Sequence, residues 1–332
     1  NMPNAYIAGT GFYVPPNVVT NHDLSKYMNT SDEWIRERTG IQERRFVEKG
    51  KGPSDLAIPA TEQALKSAGL SVGDIDFMIF ATSTPDYYIP GSGCLLQDKM
   101  DFNEIGALDI RVQCSGFVYG LSIAEQYIKT GAFENILLIG AEAQTTAMEL
   151  NDNGRDVSVI FGDGAGAVII SGTEEDKGIL STHMHSEGKY LKELWMEAPA
   201  SNAGMPRISP EDLEAGKQYL KMNGREVFRH AIVRFVEVIH ECLEKNKLKV
   251  EDIDMLIPHQ ANLRITQMVQ KKLGLNDDQV FSNIHKYGNT TAASIPIALT
   301  EAVNDGKISK GDKVVLASFG SGFAWASTVM KW

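Results

Sequence analysis

The chain has 332 residues, of which 43% are hydrophobic and 23% are charged, and its formal net charge at pH 7 is −11. This length allows one large or two medium domains with a sizeable core. The acidic balance disfavours nonspecific binding to nucleic acid or to anionic membranes, because both need a basic surface that displaces counterions.

The start of the chain does not have the pattern of a signal peptide. Residues 1–11 lack a basic-then-apolar order, and no apolar run approaches the roughly 20 residues of a membrane-spanning helix. Asn1 ahead of Met2 is interpreted as a remnant of expression. Three cysteines, at spacings that fit neither a disulfide framework nor a zinc site, are Cys94, Cys114 and Cys242. We therefore expect a cytoplasmic protein with free thiols and no metal.

Apolar segments of strand length alternate with segments of helical periodicity. Helices are predicted at about residues 57–69 and 224–247, and Cys242 falls on the apolar side of the second helix, which predicts a core position. Buried strands are predicted at residues 107–112, 135–141, 165–170, 254–257, 313–317 and 323–330. This interleaving predicts an α/β fold with largely parallel sheets, covered on both faces.

Two stretches of the chain are nearly copies of each other. Residues 71–79 (SVGDIDFMI) match residues 249–257 (KVEDIDMLI), and FGDG at 161–164 matches FGSG at 319–322. The order of elements is shared, which predicts two similar halves, residues 1–172 and 173–332, packed together. Between the copies, the polar segment 185–221 is predicted to be an irregular insertion near a binding site.

Glycine-rich segments suggest a dinucleotide site, but their context argues against one. Gly9-Thr10-Gly11 is followed by Pro15 and Pro16, which prevent the helix that would hold a pyrophosphate. The segment 162–166 leads into a β-branched strand. A tight turn beside the active site is the better interpretation.

Cys114 lies where the apolar strand 107–112 ends and a largely apolar helix begins. A thiol there faces unpaired backbone N–H groups and the positive end of the helix dipole, which are expected to lower its pKa and stabilise the thiolate. A lone cysteine is more commonly a small buried residue, so its chemical partners decide between the two interpretations.

Two polar residues are candidate partners. His259 follows strand 254–257 at the carboxyl edge, where open α/β sheets place their sites. Asn289 lies at the mouth of a later helix, where it is either an N-cap or a site residue.

The repeat relates these positions. Asn289 follows Asp254 by 35 residues, and Cys114 follows Asp76 by 38. The two helix mouths are therefore predicted to face each other, with His259 between them as a neutral N–H donor.

Six short motifs carry a specific resemblance. They are TSDEWI at 30–35, RTGI at 38–41, CSGF at 114–117, FGDGAG at 161–166, PHQAN at 258–262 and GNT at 288–290. Together they resemble β-ketoacyl-acyl carrier protein synthase III, essentially from end to end. The resemblance implies a thiolase-like duplicated αβαβα five-layer fold, a homodimer and the condensation that begins type II fatty-acid synthesis. By position it makes Cys114, His259 and Asn289 the catalytic triad.

The residue types suit the chemistry that this resemblance implies. A Cys114 thiolate attacks an acyl-CoA thioester and releases CoA, so acyl-CoA is a substrate and no cofactor is expected. Malonyl-acyl carrier protein then loses CO2, and two neutral donors hold the enolate oxygen without protonating the carbanion. By resemblance, the backbone N–H groups of Cys114 and Ser321 bind the tetrahedral oxyanion, although many family members have Gly in place of Ser321.

The resemblance also implies binding residues for CoA. Trp34 is expected against the adenine, Arg38 and Arg155 near the nucleotide phosphates, and Asn262 near the pantetheine arm. A structural alternative for Trp34 is an aromatic residue at a helix start behind a capping box of Thr30 and Glu33.

The resemblance also implies residues for docking of the carrier protein and for the choice of primer. The basic residues expected to dock the acidic carrier protein are Arg225, Arg229, Arg264, Lys271 and Lys272. Ile89, in the loop 87–91, is expected at the partner subunit's acyl pocket, where some acetyl-selective relatives carry Phe.

Two other functions use similar residues. A papain-like hydrolase also combines Cys, His and Asn, but that group's signature around its cysteine is absent here. A condensing or acyl-transferring paralogue of secondary metabolism is the closer alternative. Retention of both His259 and Asn289 favours condensation, because acyl transfer alone does not need donors for decarboxylation.

Overall fold

A computed structural model describes all 332 residues. Thirteen strands form two large sheets and two small ones, and the strands are β1 (Asn4–Tyr13), β2 (Val18–Thr20), β3 (Glu43–Arg45), β4 (Phe77–Ala81), β5 (Gly106–Ile110), β6 (Asn135–Glu142), β7 (Gly164–Thr173), β8 (Gly178–Ser186), β9 (Leu194–Trp195), β10 (Lys221–Met222), β11 (Met255–Pro258), β12 (Lys313–Gly320) and β13 (Ala324–Lys331).

Helices separate most of these strands. They are α1 (Asn21–Leu24), α2 (Asp32–Thr39), α3 (Pro53–Ala68), α4 (Ser92–Lys99), α5 (Gly116–Lys129), α6 (Arg155–Ser158), α7 (Pro210–Glu214), α8 (Gly224–Lys245), α9 (Leu263–Leu273), α10 (Ile284–Tyr287) and α11 (Ser294–Asn304). Helix α3 begins four residues before its prediction, because Pro53 fits the first helical position. None of the helices is long and apolar enough to cross a lipid bilayer.

The two large sheets repeat one topology. The first has the strand order β1-β7-β6-β4-β5, and the second has the order β8-β13-β12-β11. Where β5 pairs with β4 in the first sheet, the second has one isolated parallel bridge between Leu256 and Val280. The predicted duplication is thus confirmed, and the predicted division after residue 172 falls at the end of β7.

The prediction of largely parallel sheets is wrong. Strands β4, β5 and β6 pair in parallel, as do β11 and β12, but β7 and β13 pair antiparallel on both of their sides. The cause is clearest at β12 and β13, which only three residues connect. A connection this short joins antiparallel neighbours, whereas a parallel pair needs a crossover.

The elements stack in five layers. Helices α5 and α11 lie between the two large sheets and share one core with both, so the α5 sequence is apolar around most of its circumference. Helices α3 and α4 cover the outer face of the first sheet, and α8 and α9 cover the outer face of the second. Cys242 is fully buried on α8, as predicted.

Candidate active site

Cys114 lies in a short 3-10 turn, Gln113–Ser115, that leads from β5 into α5. The corresponding turn in the second half is Thr291–Ala293, which leads into α11. Gln113 and Thr291 both have positive φ, at 49° and 54°. A β-carbon on Gly116 would lie 3.7 Å from that of Ala292, so the two helix mouths face each other as predicted.

The structural counterpart of Cys114 is Ala292, not Asn289. Ala292 follows Asp254 by 38 residues, as Cys114 follows Asp76. Asn289 precedes the turn, and its main chain pairs with Phe161 in an isolated parallel bridge. The local pairing of Asn289 with the glycine-rich turn therefore positions it, rather than the helix mouth alone.

The sulfur of Cys114 is buried and neutral at rest. Burial, with a smaller effect of the Glu142 charge, raises the pKa of the Cys114 thiol to about 12, although the backbone N–H groups of Ser321 and Cys114 act to lower it. The expectation of a lowered pKa is therefore wrong, because removing the thiolate from water outweighs two N–H donors. The same two N–H groups, however, lie where the oxyanion hole was predicted.

Ser321 keeps its N–H group directed at the nucleophile. Its hydroxyl donates to the carbonyl of Leu194 at 2.6 Å, outside the reacting centre. The serine that replaces glycine at position 321 thus adds a hydrogen bond to β9, and its own backbone N–H remains free to bind a ligand.

His259 follows β11 and is 1% exposed. Neither Nδ1 nor Nε2 has a hydrogen-bond partner within the protein. Burial lowers the pKa of the imidazole to about 3, so the ring is neutral, as predicted. A buried, neutral ring with two unpaired nitrogens can donate one hydrogen bond to a ligand.

Asn289 is 5% exposed, and its side chain is fixed at one end. The carboxamide oxygen accepts a hydrogen bond from the Thr291 N–H at 2.9 Å. The Nδ2 group makes no hydrogen bond within the protein, so it is the end of this side chain that can bind a ligand.

One cavity of about 490 Å³ contains all three side chains. Its wall also includes Trp34, Arg38 and Asn262, and it is apolar where Phe228 and Ile265 line it. The predicted triad and three of the four predicted CoA residues are therefore brought together in one space. Arg225 and Arg264 lie in the same wall.

Arg155, the fourth predicted CoA residue, lies outside this wall but next to Trp34. The guanidinium carbons of Arg38 and Arg155 are 4.6 and 4.9 Å from the Trp34 ring centroid. An aromatic ring close to two cations suits a nucleotide, whose base stacks and whose phosphates are anionic. The predicted capping box is wrong, because Ser31 rather than Thr30 accepts the hydrogen bond from the Trp34 N–H.

Asn262 has a structural role that the sequence analysis did not assign. Its side-chain oxygen accepts from the Arg264 N–H at 2.9 Å and caps α9, and its Nδ2 donates to the Arg38 carbonyl at 3.1 Å. It thereby joins α9 to the end of α2 at the cavity wall.

The predicted docking residues form an exposed group on α8 and α9. Arg225 and Arg264 are at the cavity, while Lys271 and Lys272 lie in the last turn of α9, roughly 10 Å further along the helix axis. Arg229 is exposed but donates to Glu226 at 2.8 Å, which partly neutralises it.

Ile89 does not line the cavity of its own chain. It is 80% exposed at the tip of the loop 87–91. Both ends of this loop are held: the Asp86 N–H donates to the Ser92 hydroxyl, and the Ser92 N–H donates to Asp109. The loop therefore projects from the subunit, and hydrogen bonds fix the residues on either side of it.

Two residues at the centre were missed by the sequence analysis. Gly320 packs directly on Cys114. Its position in the repeated FGSG motif could have indicated that it lies at the site. Glu142 is fully buried at the carboxyl end of β6 and accepts from the Ser83 N–H at 2.5 Å. Glu142 could have been found from the sequence, because it is a carboxylate that directly follows the predicted buried strand 135–141.

Fold and site define the class of protein: a duplicated five-layer α/β chain with Cys, His and Asn in one cavity is a thiolase-fold condensing enzyme. The model of the family 3-Oxoacyl-[acyl-carrier-protein (ACP)] synthase III matches residues 108–188, and the model of its C-terminal part matches residues 243–332. A β-ketoacyl-[acyl-carrier-protein] synthase III of Clostridioides difficile (strain 630) is 47% identical over 328 residues, covering 99% of this chain and 98% of that protein. The chain belongs to the β-ketoacyl-[acyl-carrier-protein] synthase III family.

Solved structures agree with this assignment. The crystal structure of 3-oxoacyl-[acyl-carrier-protein] synthase III from Aquifex aeolicus VF5 superposes with a TM-score of 0.90 at 42% identity, covering 99% of this chain and 100% of that chain. The priming β-ketosynthase of the R1128 polyketide pathway superposes with a TM-score of 0.92 at 29% identity, covering 100% and 97%. Of these two proteins, the synthase III of Aquifex aeolicus is the more similar to this chain in sequence, and the hydrolase alternative does not hold.

Proposed function

We propose that Cys114 accepts an acyl group from acyl-CoA and that His259 and Asn289 then drive the decarboxylation of malonyl-acyl carrier protein at the same centre. The products are 3-oxoacyl-acyl carrier protein, CoA and CO2, and no cofactor takes part. One observation carries the proposal: a buried cavity holds one thiol together with two neutral donors, and neither donor is paired within the protein.

In the first half-reaction, the Cys114 sulfur forms a bond to the thioester carbon as its proton leaves. The CoA sulfur departs and takes up one proton. The N–H groups of Cys114 and Ser321 bind the oxyanion between these events, a role that their action on the resting sulfur supports.

In the second half-reaction, the malonyl carboxylate leaves as CO2, and its electron pair becomes an enolate. The enolate oxygen accepts from the His259 ring and from the Asn289 Nδ2. Neither group has a proton acidic enough to quench the carbanion, because burial keeps His259 neutral. The carbanion then attacks the acyl carbon on Cys114, the tetrahedral intermediate expels the Cys114 thiolate, and one proton from solvent restores the thiol.

CoA binding is proposed at Trp34, with Arg38 and Arg155 beside the phosphates and Asn262 along the pantetheine arm. The two cations, which lie 4.6 and 4.9 Å from the Trp34 ring centroid, support this placement. The carrier protein is proposed to dock on the basic residues of α8 and α9. Its acidic surface would meet Arg264 at the cavity mouth, so the phosphopantetheine arm has a short path to Cys114.

A homodimer is proposed through the free edge of β5. This strand pairs only with β4, so its outer N–H and C=O groups are available to a second copy of the chain. The apolar residues Tyr87, Tyr88 and Ile89 are exposed in the nearby loop and support contact there. In such a dimer, Ile89 would reach the acyl end of the partner's cavity.

Separating the two half-reactions tests the proposal. His259→Ala and Asn289→Ala are expected to retain substantial transfer of the acyl group to Cys114 but to release CO2 about a hundredfold more slowly, the scale of losing an oxyanion donor. Radiolabelled CO2 from malonyl-acyl carrier protein and intact-mass analysis of the acyl-enzyme measure the two steps. Undiminished CO2 release in both variants would refute the enolate role.

A further inference from the structure

Arg44, at the centre of β3, is fully buried without a carboxylate partner. It is 0% exposed, and burial lowers the pKa of its guanidinium to about 10, so it remains charged at neutral pH. The charges of Glu43 and Asp23 help to keep the guanidinium protonated, but no carboxylate pairs with it, so burying this charge is costly unless its N–H groups are hydrogen-bonded.

The hydrogen bonds of Arg44 end on two main-chain carbonyls. Nη1 donates to the Val19 carbonyl at 3.2 Å, and Nη2 donates to the Val159 carbonyl at 2.9 Å. Val159 begins the segment 159–162, of which residues 159–161 line the cavity and Gly162 belongs to the glycine-rich turn. Arg44 therefore ties this wall of the cavity to β2.

The next residues of the same segment hold Asn289. The Asn289 N–H donates to the Ile160 carbonyl at 2.9 Å, and the Gly162 N–H donates to the Asn289 carbonyl at 3.0 Å. The N–H and the carbonyl of Asn289 are thus both bound to the segment 159–162, and Arg44 binds the Val159 carbonyl at the start of that segment.

The aliphatic part of Arg44 packs at the same junction. A β-carbon on Gly162 would lie 3.0 Å from the Arg44 Cβ, and one on Gly288 would lie 3.4 Å from that same atom. Gly288 directly precedes Asn289 and has a φ of 69°. The Arg44 stem therefore contacts both glycines that flank this pairing.

We propose that Arg44 is a positioning residue for decarboxylation: by holding the Val159 carbonyl and packing on Gly162 and Gly288, it sets the place of the Asn289 side chain. The inference rests on the proposed role of Asn289. Arg44 contacts neither Cys114 nor the cavity, so acyl transfer does not depend on it in the same way.

The test compares both half-reactions in Arg44→Met and Arg44→Lys. Because displacement of a catalytic group by about 1 Å can cost up to a hundredfold, we expect CO2 release from malonyl-acyl carrier protein to fall between about tenfold and a hundredfold in Arg44→Met. Arg44→Lys, which keeps the charge and one donor, should recover part of the loss. Acylation of Cys114 should stay within about threefold of wild type in both.

Two control variants distinguish a positioning role of Arg44 from a general loss of protein stability. Arg45→Met removes the neighbouring arginine, whose Nη1 donates to the Pro15 carbonyl instead, and should leave both half-reactions unchanged. Met330→Ala opens the core far from the site and should lower the Tm without separating the half-reactions.

Parallel loss of both half-reactions in the Arg44 variants, or no loss in either, would overturn the inference. A separate measurement tests the proposed role of Asn289, on which this inference rests. If Asn289→Ala itself releases CO2 normally, the proposed function fails, whatever the Arg44 variants do.

Discussion

Gly320 and Cys114 are in direct contact across the two halves of the chain. A β-carbon on Gly320 would lie 2.5 Å from the Cys114 Cβ and 2.7 Å from its Sγ. The end of β12 can therefore approach the nucleophile only because residue 320 has no side chain, and this approach brings the Ser321 N–H to the sulfur.

Gly320→Ala is expected to lose acyl transfer while the protein remains folded. The added methyl group must displace the Cys114 side chain or the β12 end, and a shift of about 1 Å can cost up to a hundredfold in rate. Intact-mass spectrometry after acyl-CoA treatment measures the loss. Gly73→Ala, where the nearest neighbouring atom would be 3.9 Å away, is the control, and equal acylation rates in the two variants would contradict the prediction.

Only one of the three cysteines should carry the acyl group. Cys114→Ala is expected to abolish the adduct, whereas Cys94→Ala and Cys242→Ala leave it intact, because Cys94 is exposed away from the cavity and Cys242 is in the α8 core. Peptide mapping after acyl-CoA treatment decides the position. An adduct on Cys94 would disprove the site assignment.

The reactivity of Cys114 should depend on pH through Glu142. With a thiol pKa of about 12, alkylation of Cys114 in a Cys94→Ala background should keep accelerating from pH 7 to 10 without a plateau, but less steeply near pH 8, where Glu142 becomes charged. Burial raises the pKa of Glu142 to about 8, so its charge opposes the thiolate only above that pH. Glu142→Gln should therefore alkylate at the wild-type rate near pH 6.5 and faster above pH 8.

The iodoacetamide rate at each pH, followed by intact mass, measures this effect. A ratio of variant to wild-type rates that is the same across the whole range would show that the Glu142 charge does not act on Cys114.

Docking of the carrier protein should be electrostatic. Lys271→Glu with Lys272→Glu is expected to raise the Michaelis constant for malonyl-acyl carrier protein and to spare acyl transfer from acyl-CoA, because both residues are exposed and lie beyond the cavity wall. The effect should shrink with added salt, since exposed charges are screened within about 8 Å at physiological ionic strength. Steady-state kinetics at two salt concentrations test it, and equal effects on both substrates would exclude these lysines from the dock.

Primer choice should respond to Ile89 through the partner subunit. Each methylene that fits the pocket is worth about 0.8 kcal/mol, so the size of this side chain sets which primers fit. Ile89→Phe should shift the ratio of kcat/KM values toward acetyl-CoA, and Ile89→Ala toward primers of four or more carbons. Competition assays with paired primers measure the ratio, with light scattering to check the dimer, and unchanged ratios in an intact dimer would exclude the loop from specificity.

Local patterns in the sequence were sufficient for the duplication and for selecting Cys114, His259 and Asn289 as candidates, which the fold brings into one cavity. The copies around Asp76 and Asp254, and the strand ends before Cys114 and His259, depend on neighbours within a few residues, so periodicity and motif spacing revealed them. The tertiary structure decided what depends on distant parts of the chain. The antiparallel pairing of β7 with β1 and of β13 with β8 joins strands that are far apart in the chain, and sequence periodicity carries no information on it.

The same distinction explains the chemistry of Cys114. Its position at a helix mouth was visible in the sequence, but its pKa is the balance of burial by both halves, the charge of Glu142 and the N–H of Ser321. Likewise, the contact of Arg44 with Val159 joins residues 115 positions apart. Desolvation and packing sum over atoms that meet only in the folded chain, so the sequence indicated the candidate groups, and the fold decided their protonation and placement.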